Sequence, residues 1–251
     1  MDGPCTETLS VIIPAYNEET VLPATIRTLS DALSGIRDGG LISDYQIVFV
    51  NDGSGDATGK ILSSAAEADP HILACGYERN RGKGCAVRTG VLASTGDYVL
   101  YTDSDLAYGT AVIAETVKKL RETGADFVIG SRAIHPDGYA GYTFPRKLAS
   151  KAYLRFLALA AGFSHSDSQC GFKSMKGESG RRVFADCTTD GFAFDFELLL
   201  RAERMGMTVV ELPVRIETHR ESKIHLIRDS MKMLADIRKI KRSVSKTKSS
   251  S

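Results

Sequence analysis

Along the first 131 residues, short apolar runs alternate with longer stretches of helical periodicity, and this alternation restricts the fold more than any other feature. Leu9 to Ile13, Tyr45 to Val50, Ile72 to Tyr77, Tyr98 to Tyr101 and Phe127 to Ile129 have the length and character of buried strands. Pro14 is expected to stop the first, because proline cannot donate to a sheet ladder. Between the strands, Val21, Ile26, Leu29 and Leu33 share a helix face that ends before Gly39-Gly40. Further helices are predicted over about Asp56 to Glu67, from Gly82-Lys83-Gly84 to a stop at Gly96, and over Val112 to Arg121. The pattern predicts an α/β fold: a mostly parallel sheet flanked by helices on both faces.

The second half is less regular. Ile134 to Phe144, with Pro136, Gly138 and Gly141, reads as a mobile loop, and Pro145 to Leu159 as a helix carrying Arg146, Ser150 and Lys151 near its start. Gln169 to Lys173 reads as a short extended piece, Phe194 to Met205 as a helix and Met207 to Leu212 as a last strand. From Ile224 to Ile240 a broad apolar stripe opposes Arg228, Asp229, Lys232, Asp236 and Lys239, an amphipathic helix. The Ser-, Lys- and Thr-rich residues 243–251 read as a disordered tail. No repeat or linker divides the chain, so residues 1–242 are expected to form a single domain.

In open α/β sheets, ligands gather beyond the carboxyl ends of the strands. Four of the expected strand ends carry polar clusters: Asn17-Glu18, Asn51-Asp52, Asn80-Arg81 and Asp103-Ser104-Asp105. On an extended chain Asp103 and Asp105 would face the same way, and such a pair can hold a divalent metal against phosphate oxygens. The same acids would equally serve a turn that caps the next helix. Asp195 and Glu197, among aromatics at a helix start, could favour the helix dipole or belong to a site.

Other chemistries fit poorly. Val87 stands where a dinucleotide fingerprint needs its third glycine, and neither a G-x-x-x-x-G-K-[ST] loop nor a G-x-S-x-G elbow is present. The histidines are scattered. The five cysteines lack a C-x-x-C pair, which argues against a disulfide framework or structural zinc and favours a reducing compartment. A net charge of +1 speaks against a dedicated nucleic-acid binder, although Arg238, Lys239, Lys241, Arg242, Lys246 and Lys248 make a basic end suited to an anionic surface. No signal peptide is read at the start. The apolar stretch Phe156 to Phe163 is far short of the roughly 20 residues of a membrane span.

Taken in order, Pro14-Ala15-Tyr16-Asn17-Glu18, Asn51-Asp52-Gly53-Ser54, Asn80-Arg81-Gly82-Lys83-Gly84, Asp103-x-Asp105 and Gly130-Ser131-Arg132 resemble the family 2 inverting glycosyltransferases with the A-type nucleotide-sugar fold. Gln169-Cys170-Gly171-Phe172-Lys173, Phe192-Ala193-Phe194-Asp195-Phe196-Glu197, Glu211 to Arg215 and Ser222-Lys223 narrow the resemblance to the dolichyl-phosphate (polyprenyl-phosphate) β-glucosyltransferases, relatives of the polyprenyl-phosphate mannose synthases. The resemblance implies a Rossmann-like fold with C-terminal amphipathic helices, a nucleotide-sugar-binding half over 1–131 and an acceptor-binding half over 132–242.

It also assigns roles. Pro14, Ala15, Tyr16 and Glu18 would line the nucleoside pocket, with Asp52 and Arg81 near base and ribose and Lys83 on the same donor side. Asp103 and Asp105 would approach the diphosphate and hold Mg²⁺ or Mn²⁺, offsetting the charge on the leaving group. Arg132, Arg146 and Ser150 match lipid-phosphate-binding positions of the mannose synthases. The implied reaction moves a hexose, glucose from UDP-glucose, onto a polyprenyl phosphate with inversion. An ionised phosphate monoester needs no strong base to attack; for a neutral hydroxyl acceptor Asp195 would be the candidate base, and Glu197 a weaker one.

Three departures qualify this. Ala107 stands where the mannose synthases carry a glutamine metal ligand, Phe192 where the glucosyltransferases typically have tryptophan, and the N-terminal span of eukaryotic relatives is missing. The expected location is therefore cytoplasmic and peripheral on the cytoplasmic membrane face, with the helix near Leu226 to Ile240 either meeting the membrane surface or packing on the domain. Rival readings are a GDP-mannose donor, a soluble hydroxyl acceptor, and a nucleotide-sugar sensor without turnover.

Overall fold

The computed structural model describes residues 5–142, 147–148, 154–155, 165–218 and 236–244. Strands β1 (Thr8–Ala15), β2 (Asp44–Asp52), β3 (Ile72–Tyr77), β4 (Tyr98–Tyr101), β5 (Phe127–Ser131), β6 (Lys173–Lys176) and β7 (Val209–Pro213) form one sheet in the order β3-β2-β1-β4-β6-β5-β7. All pairings are parallel except those of β6, which runs antiparallel to both neighbours.

Alternation of side chains along the strands divides the core between two faces. Leu9, Val11 and Ile13 of β1 and Phe49 of β2 pack on one side with helices α1 (Leu22–Asp38), α2 (Thr58–Ala68) and α4 (Ala111–Thr123). Ile12, Val48 and Val50 face the other, against α3 (Lys83–Ala93), α5 (Gly177–Asp186) and α6 (Phe194–Arg204). The chain builds outward from β1 to β2 and β3, then crosses to β4 on the opposite side of β1. That reversal opens a crevice beyond the ends of β1 and β4.

The doubly covered α/β sheet matches the sequence reading, with local corrections. Pro14 lies inside β1 instead of ending it. Thr102 N donates to Ile12 O, so the even-numbered backbone groups of β1 face β4, whose ladder ends at the Ile12–Tyr101 pair; Pro14 falls just beyond, where no donor is needed. Helix α3 ends at Ala93, well before Gly96, whose N–H bonds Ser10 Oγ at 2.9 Å. The extended piece expected over Gln169 to Lys173 is displaced: β6 starts at Lys173. Helix α5 was not read from the sequence because three of its five buried residues are Gly177, Ser179 and Gly180, which give no apolar periodicity.

Residues 236–244 are helical, so the expected tail begins within a helix. Ile237, Ile240 and Val244 are buried against Ala193, Phe196, Leu199 and Leu200, so here the apolar stripe packs on the domain and is not free to meet a membrane. The remainder of the stripe, from 224 to 235, lies outside the described residues, as does most of the helix expected over 145–159. Among the described residues no helix is long and apolar enough to cross a membrane.

Candidate active site

A cleft of about 800 Å³ occupies the crevice beyond the strand ends. Pro14, Ala15, Tyr16 and Glu18 reach it from the end of β1, and Asp52 from β2. Arg81 and Lys83 enter from the β3–α3 loop, Asp103 and Ser104 from the segment after β4. All eight residues expected on the donor side thus share one cavity. The lining is completed by the 188–193 loop, which packs on the head of α3, and by Asp236, Lys239, Ile240 and Ser243 of the C-terminal helix.

The loops hold one another in place. Asn17, at φ +53°, receives Gly55 N on its Oδ1 at 2.9 Å and donates its own N–H to Ser54 Oγ at 3.0 Å, lacing the β1 and β2 loops together. Asp52 is 4% exposed, and its carboxylate accepts Asn80 Nδ2 at 2.9 Å, Arg81 N at 2.8 Å and Gly82 N at 3.0 Å. Asp52 therefore shapes the loop that presents Arg81 and Lys83, in addition to facing the cleft. Gly82 makes this turn at φ +107°, where a side chain would be strained and its Cβ would press on the Asp190 carbonyl.

Beyond β4 the chain leaves the extended state, so the two aspartates do not follow strand alternation. Asp103 faces the cleft and pairs with Lys83. Asp105 sits in the next turn, where Oδ1 accepts Ala107 N at 3.2 Å, and it does not line the cleft. Burial works against the charge on Lys83, but the carboxylates of Asp103, Asp195 and Asp105 outweigh it and hold the ammonium's pKa above its ordinary value. Gly171 packs where any Cβ would collide with the Asp103 carboxylate, which gives the glycine of the Gln169 to Lys173 segment a steric reason.

The described residues contain no cluster of three or more His, Cys, Asp or Glu, so Asp103 at the cleft and Asp105 in the next turn would be at most a partial ligand set. Hard oxygen donors of this kind fit Mg²⁺ or Mn²⁺ when diphosphate oxygens and water complete the shell.

Asp195 and Glu197 lie behind the cleft wall. Asp195 Oδ1 accepts Tyr101 Oη and Lys173 Nζ, each at 2.5 Å, and Lys173 is fully buried with a further bond to Cys170 O at 2.6 Å. Glu197 accepts Thr188 N at 3.1 Å, Thr189 N at 2.7 Å and Arg201 Nε at 2.8 Å. Burial pushes its carboxyl up, yet the donors from Thr189 and Arg201 leave the pKa below the ordinary carboxylate value. Glu197 thereby fixes the 188–193 loop, and the Asp190 carbonyl of that loop accepts Gly84 N at 2.8 Å at the head of α3.

Arg132 is placed apart from these groups. Its guanidinium grips the buried Asp167 through Nε at 2.6 Å and an η nitrogen at 2.9 Å, and it does not line the cleft. Arg146 and Ser150 lie outside the described residues. Lys173, Asp167 and Asp190 carry no role in the sequence reading, and Lys239 only that of the basic end. Lys173 belongs to the Gln169 to Lys173 segment, whereas neither spacing nor periodicity marks Asp167 or Asp190.

The model of glycosyl transferase family 2 matches residues 10–196. The chain belongs to this family. It is therefore a glycosyltransferase, and the strand ends that line the cleft fall within the matched segment. Within the curated proteins, the family 2 chain is 32% identical over 240 residues to a dolichyl-phosphate beta-glucosyltransferase of Dictyostelium discoideum, covering 93% of itself and 73% of that protein. It is 34% identical over 241 residues to the dolichyl-phosphate beta-glucosyltransferase ALG5A of Trichomonas vaginalis, covering 94% and 74%. Among solved structures, glucosyl-3-phosphoglycerate synthase of Mycobacterium tuberculosis, in complex with Mn²⁺, UDP and glucosyl-3-phosphoglycerate, superposes with a TM-score of 0.67 at 19% identity, over 93% of this chain and 80% of that one. This likeness shows that the two share a fold.

Proposed function

We propose that this family 2 enzyme transfers glucose from UDP-glucose to a polyprenyl or dolichyl phosphate, with inversion, at a membrane surface. The observation that carries the reading is the convergence of four strand-end clusters on one cleft, in a chain similar over most of its length to dolichyl-phosphate glucosyltransferases. Tyr16, Asp52 and Arg81 receive the nucleoside, and Lys83 and Asp103 face its diphosphate. Asp103 and Asp105 would hold Mg²⁺ or Mn²⁺, a metal that supplies charge neutralisation to the departing diphosphate. The mycobacterial structure of the same fold, which contains Mn²⁺ and UDP, agrees with such a site.

The acceptor phosphate is ionised near neutral pH and needs no carboxylate base. Asp195, held by Lys173 and Tyr101, would act by positioning, its charge adding to that of Asp103 in favouring the Lys83 ammonium. Arg146 and Ser150 would serve the acceptor side, and Arg132, paired with Asp167 away from the cleft, would support that side by holding the segment after β5.

The test is transfer from radiolabelled UDP-glucose or GDP-mannose to a short polyprenyl phosphate with Mg²⁺ or Mn²⁺. Organic-extractable label from UDP-glucose supports the reading. Label from GDP-mannose alone favours the mannose rival, and absence of glycolipid with both donors overturns the proposal.

A further inference from the structure

The C-terminal helix contributes a face to the cleft as well as a face to the core. Residues 236, 239, 240 and 243 recur at helical spacing, and all four line the cavity, while Ile237, Ile240 and Val244 anchor the helix on α6. Arg201 donates to Ser243 Oγ at 3.2 Å and Arg204 to the Val244 carbonyl at 3.4 Å, which fixes the rotation of the helix. Lys239 is thereby held at the cleft, with its Nζ 3.9 Å from Asp236 and its side chain 81% exposed.

The charges of the cleft show what this lysine adds. Arg81 and Lys83 stand together at the head of α3, beside Asp190 and Asp103 respectively, on the wall that receives the diphosphate. Arg132 is engaged by Asp167 outside the cleft. Among the described residues that line the cavity, Lys239 is the one cation supplied by an element other than the Arg81–Lys83 segment. A reaction between a diphosphate donor and a phosphate acceptor brings two anions into one cleft, and the second calls for a cation beyond those engaged with the first. We infer that Lys239 binds the phosphate of the acceptor, making the C-terminal helix part of the acceptor site. The inference rests on the reading of the acceptor as a phosphate monoester.

Lys239→Ala, Lys239→Glu and Lys239→Arg, assayed with UDP-glucose and a short polyprenyl phosphate, test it. The alanine variant is expected to raise the acceptor KM about tenfold and the glutamate variant more, with donor KM and UDP affinity unchanged, while arginine restores most of the loss. An unaltered acceptor KM in the alanine and glutamate variants overturns the inference while leaving the glucosyltransferase reading intact. Titration of inorganic phosphate into the UDP-loaded protein reads the site without turnover. Saturable binding by the unmodified chain that is lost in Lys239→Ala supports the inference; no binding, or equal binding in both, overturns it even if no glycolipid forms.

Discussion

Lys83, in the first turn of α3, reaches the Asp103 carboxylate beyond β4 and so bridges the cleft across the ends of β2 and β1. The pair fixes a cation within the cleft and couples the loop shaped by Asp52 to the acidic segment.

Removing this cation should be felt in donor binding. Lys83→Met is expected to raise the KM for the nucleotide sugar about 10- to 100-fold, since a charge-assisted contact to phosphate contributes on the order of 1.5–3 kcal/mol. The lysine side chain is only 20% exposed and paired with Asp103, so a lower melting temperature is expected as well. Steady-state kinetics beside thermal denaturation checks both halves.

Asp103→Asn and Asp105→Asn should separate catalysis from folding. Neither carboxylate lies in the apolar core, so stability is expected to stay within about 0.5 kcal/mol. Turnover should fall by about 100-fold or more in each, together with the response to added Mn²⁺. An undiminished metal-dependent rate in either variant would contradict its assignment.

Glu197 sets an acid limit on stability. Its folded-state pKa lies below the ordinary 4.5, so its contribution is complete above that value and is lost as the pH falls through the lower folded value. Glu197→Gln is expected to cost about 3 kcal/mol at neutral pH, because Arg201 would remain buried without its partner. Denaturant unfolding followed from pH 7 down to about pH 3 should show the difference from the parent chain narrowing in acid.

The buried Lys173–Asp195 pair predicts strong coupling. Either Lys173→Met or Asp195→Asn alone strands a partner in a dry site and should cost about 3–5 kcal/mol. The double variant is expected to lose clearly less than the sum, a non-additivity that a double-mutant cycle measures directly.

Much of this site was legible in the sequence because strand ends announce themselves: an apolar run followed by Asn51-Asp52, Asn80-Arg81 or Asp103 places polar side chains at the sheet's open edge whatever the helices do. Contacts between distant segments were not legible. Nothing in the spacing of Arg132 and Asp167 reveals that they form a bidentate pair, and Glu197 gives no sign that it holds the backbone of Thr188 and Thr189. The amphipathic pattern of the C-terminal helix was plain, but amphipathicity alone leaves open whether the apolar side meets lipid or protein. Burial of Ile237 and Ile240 against α6 resolves it for the described part. Helix α5 escaped because close packing there uses glycine and serine, which periodicity cannot register.

In the proposed reaction a phosphate oxygen of a polyprenyl phosphate displaces UDP from the anomeric carbon of glucose. Nuclear magnetic resonance of the product made from UDP-glucose and a short polyprenyl phosphate tests this most directly. A β-configured product whose anomeric proton is coupled to phosphorus is expected. An α-configured product, or glucose joined to an oxygen without phosphorus coupling, would contradict it.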